Sequence, residues 1–112
     1  MIKVLVADDH SVVREGLVSL LSRQDGMDVV GQAESARAAI DLCAELLPDV
    51  VILDYSMPGL DGLEAARQLR AALPRTGHIL VLTMCENADI AQRLLSIGVT
   101  GYVTKAAPTS EL

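Results

Sequence analysis

Short apolar runs alternate along the chain with longer stretches whose apolar residues recur at helical spacing. The runs are rich in Val, Ile and Leu and have the length of buried strands, whereas the stretches between them place apolar residues three or four positions apart. The expected strands are residues 2–7, 27–32, 49–53, 78–83 and 100–104. Strands that alternate with helices predict an α/β domain, with a parallel sheet, right-handed crossovers and helices on both faces.

Gly, Pro, Ser and Asp residues mark the ends of the expected helices. Gly26 and Gly98 are placed to end the first and fourth helices, and Ser35 is a suitable N-cap for the second. Asp61 is expected to cap the third helix, and Pro108 to begin a fifth that the sequence cuts short. The apolar positions expected along the second helix are Ala36, Ile40, Ala44 and Leu47.

Composition and charge narrow the class of protein. A chain of 112 residues has room for one domain, residues 1–112, and its 51% hydrophobic content argues against disorder. The net charge of −6 argues against a nucleic-acid surface within these residues. Cys43 and Cys85 are too few for a disulfide framework or a zinc site, and the sequence shows neither a signal peptide nor a long apolar stretch. We therefore expect a cytoplasmic protein that does not enter a membrane.

Three acidic residues follow two of the expected strands. Asp8 and Asp9 come directly after the first strand, and Asp54 comes directly after the third. In a doubly wound sheet of order 2-1-3-4-5 these two strands are neighbours, and sites form outside their carboxyl ends. Carboxylates so close together repel one another unless a cation lies between them. Because oxygen ligands suit a hard ion, the pattern predicts a Mg²⁺ site.

Two further residues at strand ends suit phosphoryl chemistry. Thr83 ends the fourth strand with a hydroxyl, and Lys105 follows the fifth with a positive charge. Asp54 is then a feasible nucleophile for phosphorus, because metal and lysine charges offset those of the incoming group. Each residue also has an ordinary interpretation: Asp8 or Asp9 as a helix cap, and the others as loop or surface residues. The joint placement at four strand ends favours the phosphoryl interpretation.

These residues closely resemble the receiver domain of two-component response regulators, and the resemblance covers essentially the whole chain. The motifs are Asp8-Asp9-His10, Leu53-Asp54 followed by residues 57–62 (MPGLDG), Leu82-Thr83, and Gly101-Tyr102 with Lys105. The first and last look most like the NarL/FixJ subfamily, which carries a C-terminal LuxR-type helix-turn-helix domain that binds DNA. The resemblance implies a flavodoxin-like fold.

The family pattern also implies a role for each matching position. Asp54 would accept a phosphoryl group from a phosphohistidine of a sensor histidine kinase. Mg²⁺ would be held by Asp8, Asp9, Asp54 and the backbone carbonyl of Ser56. Lys105 would pair with the phosphoryl group, while Thr83 and Tyr102 would act as the switch. Output would be control of transcription by a DNA-binding domain outside this chain, with a possible homodimer formed by the fourth and fifth strand-helix units.

Three positions depart from the commonest receiver pattern. Ala106 stands where many receivers have proline, so a cis peptide there is less favoured. Met84 is bulkier than the small residue often found after the threonine, and we expect it to slow loss of the phosphoryl group. Tyr55 beside the acceptor is uncommon, and the sequence suggests no role for it.

Two other classes of protein share parts of this pattern. Haloacid-dehalogenase-like phosphatases have a second Asp two residues after the nucleophile, where this chain has Ser56. Receiver-like binding modules typically lose an acid, the threonine or the lysine, none of which is missing here. We therefore expect a stoichiometric acceptor with at most slow self-dephosphorylation, and not an enzyme.

Overall fold

Strands and helices alternate along the part of the chain that the computed structural model describes, residues 1–55, 62–73, 77–83 and 88–104. The strands are β1 (Ile2–Ala7), β2 (Met27–Ala33), β3 (Val50–Asp54), β4 (His78–Thr83) and β5 (Gly101–Thr104). The helices are α1 (Ser11–Ser22), α2 (Ala36–Leu46), α3 (Gly62–Ala72) and α4 (Ala88–Ile97). The expected elements are thus confirmed within about one residue at most ends, although β3 begins and ends one residue later than expected and so includes Asp54.

The five strands form one parallel sheet of order β2-β1-β3-β4-β5, which confirms the predicted order. β1 and β3 lie side by side, and Ala7 pairs with Leu53 at their carboxyl ends. From this central pair the chain winds outward in both directions, to β2 on one side and to β4 and β5 on the other. The connections that leave β1 and β3 therefore diverge and open a crevice at the carboxyl edge of the sheet.

Side chains alternate along each central strand between the two faces of the sheet. One face carries Leu5, Val51 and Val81 into a core shared with buried residues of α2, α3 and α4. The other face carries Val6 and Ile52 into a second core against α1. Helices thus cover both faces, as predicted, and the apolar character of both faces explains why the strands read as nearly continuous hydrophobic runs.

The predicted apolar face of α2 is wrong in its C-terminal half. Ala36, Ala39 and Cys43 are the buried residues of this helix, whereas Ala44 is exposed. Leu47 is 53% exposed and lies beyond the helix, at a left-handed C-cap with φ of 48°. Both sets of positions fit a helical repeat, and packing decided between them. Small residues at 36, 39 and 43 allow the helix to approach the sheet and α3 closely.

The predicted helix ends at Ser35 and Gly98 are confirmed, whereas the one predicted at Gly26 is wrong. The Ser35 hydroxyl accepts the backbone N–H of Ala38 at 3.1 Å and so caps α2. Gly98 directly follows α4 with φ of 111°, a value that favours glycine. Helix α1 instead ends at Ser22 with Arg23 as its C-cap, because the Arg23 backbone N–H already bonds the last carbonyls, and Gly26 lies in the turn before β2 with φ of 87°. Asp61 and Pro108 lie outside the described residues. Within the described residues, no helix has the length and apolar character needed to cross a membrane.

Candidate functional site

Asp8, Asp9, His10 and Asp54 form a cluster at the carboxyl edge of the sheet, which we call the acid pocket. Asp54 is the last residue of β3, and Asp8 and Asp9 follow β1 directly. Each of the four residues offers one ligand atom, and these atoms all lie within 4.8 Å of one another. The convergence predicted for the three carboxylates is therefore confirmed.

Two of the three carboxylates lie out of solvent. Asp8 is 0% exposed and Asp54 is 1% exposed, while the side chain of Asp9 is 27% exposed. Pleat alternation places Asp8 and Asp54 on the same face of the sheet as Val6 and Ile52, where α1 packs. Burial makes the negative charges costly, and mutual repulsion adds to that cost. Such a pocket gains stability from any cation that binds to it.

The start of α1 places His10 against these acids. His10 is the N-cap residue of α1, and its side chain makes no capping hydrogen bond. Its Nδ1 lies 3.2 Å from Asp8 Oδ1, 3.2 Å from Asp9 Oδ1 and 3.7 Å from Asp54 Oδ2. The imidazole is 60% exposed, so it covers the pocket from the solvent side.

The capping role considered for Asp8 and Asp9 is not the one that the structure shows. The N-cap of α1 is His10, and the backbone N–H of His10 donates to Asp8 Oδ1 at 2.9 Å. This bond forms a tight turn between β1 and α1 and holds the Asp8 carboxylate in place. The acids therefore point into the pocket and do not cap the first turn of α1.

Arg14 fixes the backbone of the same segment from the side. Its Nη1 donates to the Asp8 carbonyl oxygen at 2.7 Å, and its Nε donates to Gln32 Oε1 at 3.3 Å. Arg14 thus links α1, the end of β1 and strand β2. Neither Arg14 nor the contacts of His10 were identified from the sequence. An Arg one helical turn after His10 is the signal that could have indicated the role of Arg14.

Thr83 and Tyr102 lie on the other side of β3 from the acids. Thr83 is buried at the end of β4, one residue beyond Leu82, which pairs with Asp54. Tyr102 pairs with Val81 on β5 and is half-buried against the core shared with α2, α3 and α4. Because side chains alternate, Thr83, Val81 and Tyr102 belong to one face of the sheet. The two residues predicted as the switch therefore share a face.

Tyr55 links the acceptor strand to α3, a contact that the sequence did not suggest. Its backbone N–H donates to the Leu82 carbonyl at 2.8 Å, and its ring packs against the core. The ring lies directly against Gly62, the first residue of α3. A Cβ added at Gly62 would meet the Tyr55 carbonyl oxygen at 2.6 Å and ring atom Cε1 at 2.7 Å. Only glycine fits this contact between the residue after β3 and the start of α3.

Several predicted residues lie outside the described part of the chain. They are Ser56, Met84, Lys105 and Ala106. The peptide bond between Lys105 and Ala106, where a cis form is less favoured, lies outside it as well. Their predicted roles therefore stay predictions.

The acid pocket has the donor set of a divalent cation site. The Asp9 Oδ1 atom is buried and accepts no hydrogen bond from the described residues, although Asp9 itself is half-exposed. Carboxylate oxygens are the ligands that Mg²⁺ prefers beside phosphoryl groups. Asp8, Asp9 and Asp54 therefore fit such an ion, and a buried carboxylate beside it is a chemically feasible phosphoryl acceptor.

Comparison with known proteins assigns the family. The model of the response regulator receiver domain matches residues 4–112, nearly the whole chain. The chain is a response regulator receiver domain. A receiver domain is the part of a two-component regulator that is phosphorylated, so the family assignment agrees with the acid pocket found at the sheet edge.

Similar proteins include other response regulators, one of them solved on promoter DNA. Response regulator GacA of Pseudomonas syringae is 45% identical over 112 residues, which are 100% of this chain and 52% of GacA. The receiver domain of NarL from Mycobacterium tuberculosis superimposes with a TM-score of 0.89 at 37% identity, covering 98% of this chain and 88% of that one. RcsB from Salmonella enterica, solved on promoter rprA, gives 0.88 at 32% identity, with 99% and 92% covered. The receiver domain spans about half the length of GacA.

Proposed function

We propose that this receiver domain is a switch that takes a phosphoryl group from a sensor histidine kinase onto Asp54. The observation that carries the proposal is the acid pocket: Asp54 is 1% exposed and its ligand atom lies within 4.8 Å of those of Asp8 and Asp9. An acid so placed is costly to the fold unless a cation binds beside it. Membership of the receiver family supports the same role.

In the proposed reaction an Asp54 oxygen attacks phosphorus while the phosphorus–nitrogen bond of the kinase phosphohistidine breaks. The product is an acyl phosphate on Asp54, and the proton needed by the leaving imidazole comes from solvent or the kinase. Asp8, Asp9, Asp54 and the Ser56 carbonyl would hold Mg²⁺, which offsets the negative charge on the phosphoryl oxygens. His10 N–H and Arg14 keep Asp8 in place through its carboxylate and its carbonyl.

Residues on the neighbouring strands would respond to the charge of the phosphoryl group on Asp54. Thr83 would donate its hydroxyl to a phosphoryl oxygen, and Lys105 would pair with the phosphoryl charge. Tyr102 lies on the same face as Thr83 by strand alternation, so movement of Thr83 changes the space that the Tyr102 ring can occupy. This is a local two-state element biased by phosphorylation, and its output surface is the face around α4 and β5.

The site favours a stoichiometric acceptor over a phosphatase. The position two residues after Asp54, which holds a general acid in haloacid-dehalogenase-like enzymes, is Ser56. Without an acid at that place, hydrolysis of the acyl phosphate should be slow. Met84 should slow it further, and Met84→Ala should then raise the rate of phosphoryl loss.

Acetyl phosphate and beryllofluoride test the proposal directly. With Mg²⁺, intact-mass analysis should show one phosphoryl adduct on the wild-type chain, and none when Mg²⁺ is removed by chelation. Asp54→Asn should abolish the adduct. Asp49→Asn is the matched control, because Asp49 lies at the opposite end of β3 and is exposed. A Mg²⁺-independent adduct, or one that persists in Asp54→Asn, would contradict the proposal.

We also propose the context in which the switch works. The relatives' greater length and the RcsB complex with a promoter support an effector domain that binds DNA, outside residues 1–112. The protein would act in the cytoplasm and control transcription, with homodimer formation after phosphorylation. Sedimentation of the full-length protein with and without beryllofluoride should show whether phosphorylation increases dimer formation.

A further inference from the structure

The acid pocket contains one nitrogen donor, and its position matches that of a metal ligand. His10 Nδ1 lies 3.2, 3.2 and 3.7 Å from oxygens of Asp8, Asp9 and Asp54. Two donors each about 2.1 Å from one ion lie about 3.0 Å apart at neighbouring octahedral positions and about 3.4 Å apart in a tetrahedron. The two separations of 3.2 Å lie between these values and suit donors that share a single ion, whereas Asp54 Oδ2 at 3.7 Å is slightly farther away. In the ion-free pocket the contact between Nδ1 and Asp8 Oδ1 is a hydrogen bond, which an ion would replace.

We propose that His10 is a nitrogen ligand of the acid pocket and tunes it toward borderline first-row transition ions such as Co²⁺, relative to Mg²⁺. This inference rests on the metal site of the proposed function and specifies one of its ligands. Imidazole binds borderline transition ions well, whereas Mg²⁺ prefers oxygen ligands and keeps its water. A pocket of carboxylates alone would discriminate less strongly between the two kinds of ion.

Local structure leaves the imidazole available for this role. The side chain does not cap α1, so ligation takes nothing from the helix start. It is 60% exposed and reaches the acids from solvent, the side from which an ion enters. Its backbone N–H is bound to Asp8 Oδ1 at 2.9 Å, which anchors the residue beside the pocket whatever the ring does.

His78 provides a matched control within the same chain. It is the second of the two histidines, and it begins β4 at the amino edge of the sheet. Its Nδ1 lies 3.1 Å from Thr100 Oγ1 and it is exposed. A Co²⁺ ion bound at any accessible imidazole would use both histidines, whereas an ion bound in the acid pocket would use His10 alone.

Binding and spectroscopy on the full chain test the inference. Calorimetric titration with Co²⁺ and with Mg²⁺ gives the ratio of the two affinities for wild type, His10→Ala and His78→Ala. The ratio should fall at least about tenfold in His10→Ala, because even outer-shell partners of metal sites contribute that much. It should be unchanged in His78→Ala. Thermal melts followed by circular dichroism verify that both variants fold.

A second readout identifies the ligand without relying on affinity. Pulsed electron paramagnetic resonance of the Mn²⁺-loaded chain should show modulation from a directly bound ¹⁴N nucleus. The modulation should disappear in His10→Ala and persist in His78→Ala. An unchanged affinity ratio with no nitrogen modulation in the wild type would overturn the inference, and equal losses in both variants would also overturn it.

The outcome can be separated from that of the proposed function. Mg²⁺-dependent phosphorylation of Asp54 in the wild type, together with an unchanged Co²⁺ to Mg²⁺ ratio in His10→Ala, would remove only the role of His10. A wild-type chain with nitrogen modulation and no adduct on Asp54 would remove only the phosphoryl switch.

Discussion

Asp54 and Asp49 lie at opposite ends of the same short strand, in opposite surroundings. At the carboxyl end, Asp54 is 1% exposed and its ligand atom lies within 4.8 Å of those of two other acids. At the amino end, Asp49 is exposed, and its Oδ2 accepts the backbone N–H of Lys3 at 2.8 Å. The Asp49 main chain also joins β1 to β4, through Lys3 O at 2.8 Å and the His78 N–H at 2.9 Å.

The two histidines repeat this contrast. His78 lies near Thr100 Oγ1, which also accepts the backbone N–H of Ile79 at 3.3 Å, so its surroundings are those of a strand end held by hydrogen bonds. The imidazole of His10 instead lies within 3.7 Å of three carboxylates. At the amino edge, polar residues form hydrogen bonds that join strands. At the carboxyl edge, buried carboxylates lie close together, and their repulsion destabilises the fold when no cation is bound. That difference marks the carboxyl edge as the functional one.

The largest expected effect is the response of the two edges to Mg²⁺. An ion at 100 times its dissociation constant should raise the free energy of unfolding by about 2.7 kcal/mol. Asp9→Asn should reduce this gain below about 0.5 kcal/mol if affinity falls a hundredfold, whereas Asp49→Asn should retain it. Urea unfolding followed by circular dichroism measures both. An equal loss in the two variants would show that the ion does not distinguish the edges.

A methyl group at two glycines tests how tightly each edge is packed. Gly62→Ala would push Cβ onto the Tyr55 ring and carbonyl and should lower the free energy of unfolding by about 2 kcal/mol. Gly101→Ala places Cβ 3.7 Å from Leu80 Cδ1 at the amino edge, an ordinary contact, and should change it by less than about 0.5 kcal/mol. Urea denaturation at neutral pH compares them. A harmless Gly62→Ala would mean that Tyr55 can move without cost.

Neutralising one acid at each edge should change stability in opposite directions. In chelator, Asp54→Asn removes a buried negative charge from the acid pocket and should raise the free energy of unfolding by about 1–2 kcal/mol, the scale of one polar group's desolvation. Asp49→Asn weakens an exposed hydrogen bond and should lower it by about 0.5 kcal/mol. Melting temperatures with excess chelator give the signs. Destabilisation by Asp54→Asn would contradict the view that the pocket strains the apo fold.

The smallest effect concerns an ionisable group that lies at neither edge. Burial raises the pKa of the Cys43 thiol from its usual value near 9.0, and nearby Arg70 partly opposes the shift. A raised pKa in the folded state means that stability is intact below the unfolded pKa and falls as pH rises through the folded one. Stability should therefore decrease as pH rises above the usual thiol pKa near 9.0, which urea unfolding at a series of pH values measures. In Cys43→Ala the free energy of unfolding should no longer decrease over this pH range on account of the thiol. An unchanged decrease with pH would mean that other groups cause it.

The sheet was predictable because each strand carries its own signal. Runs such as Val50–Asp54 are apolar enough to be buried on both faces. Alternating strands and helices predict a parallel doubly wound sheet, and the resemblance to receiver domains selected the order 2-1-3-4-5 among those such a sheet can take. The acids at the ends of β1 and β3 could be located for the same reason, since the position of a strand in the sheet also places the residues at its end. The face of α2 could not be predicted, because Ala44 and Cys43 fit the helical repeat equally well.

The sequence by itself determined the α/β class, the strand order, the helix ends at Ser35 and Gly98, and the meeting of three acids at one edge. Those features depend on local residue types and on topology that short connections leave little freedom to change. Only the tertiary structure decided that Tyr55 packs on Gly62, that Arg14 binds the Asp8 carbonyl, and that His10 lies against the acids. Each of these depends on distances between residues on different elements or on the path of a turn, and periodicity carries no information about those distances.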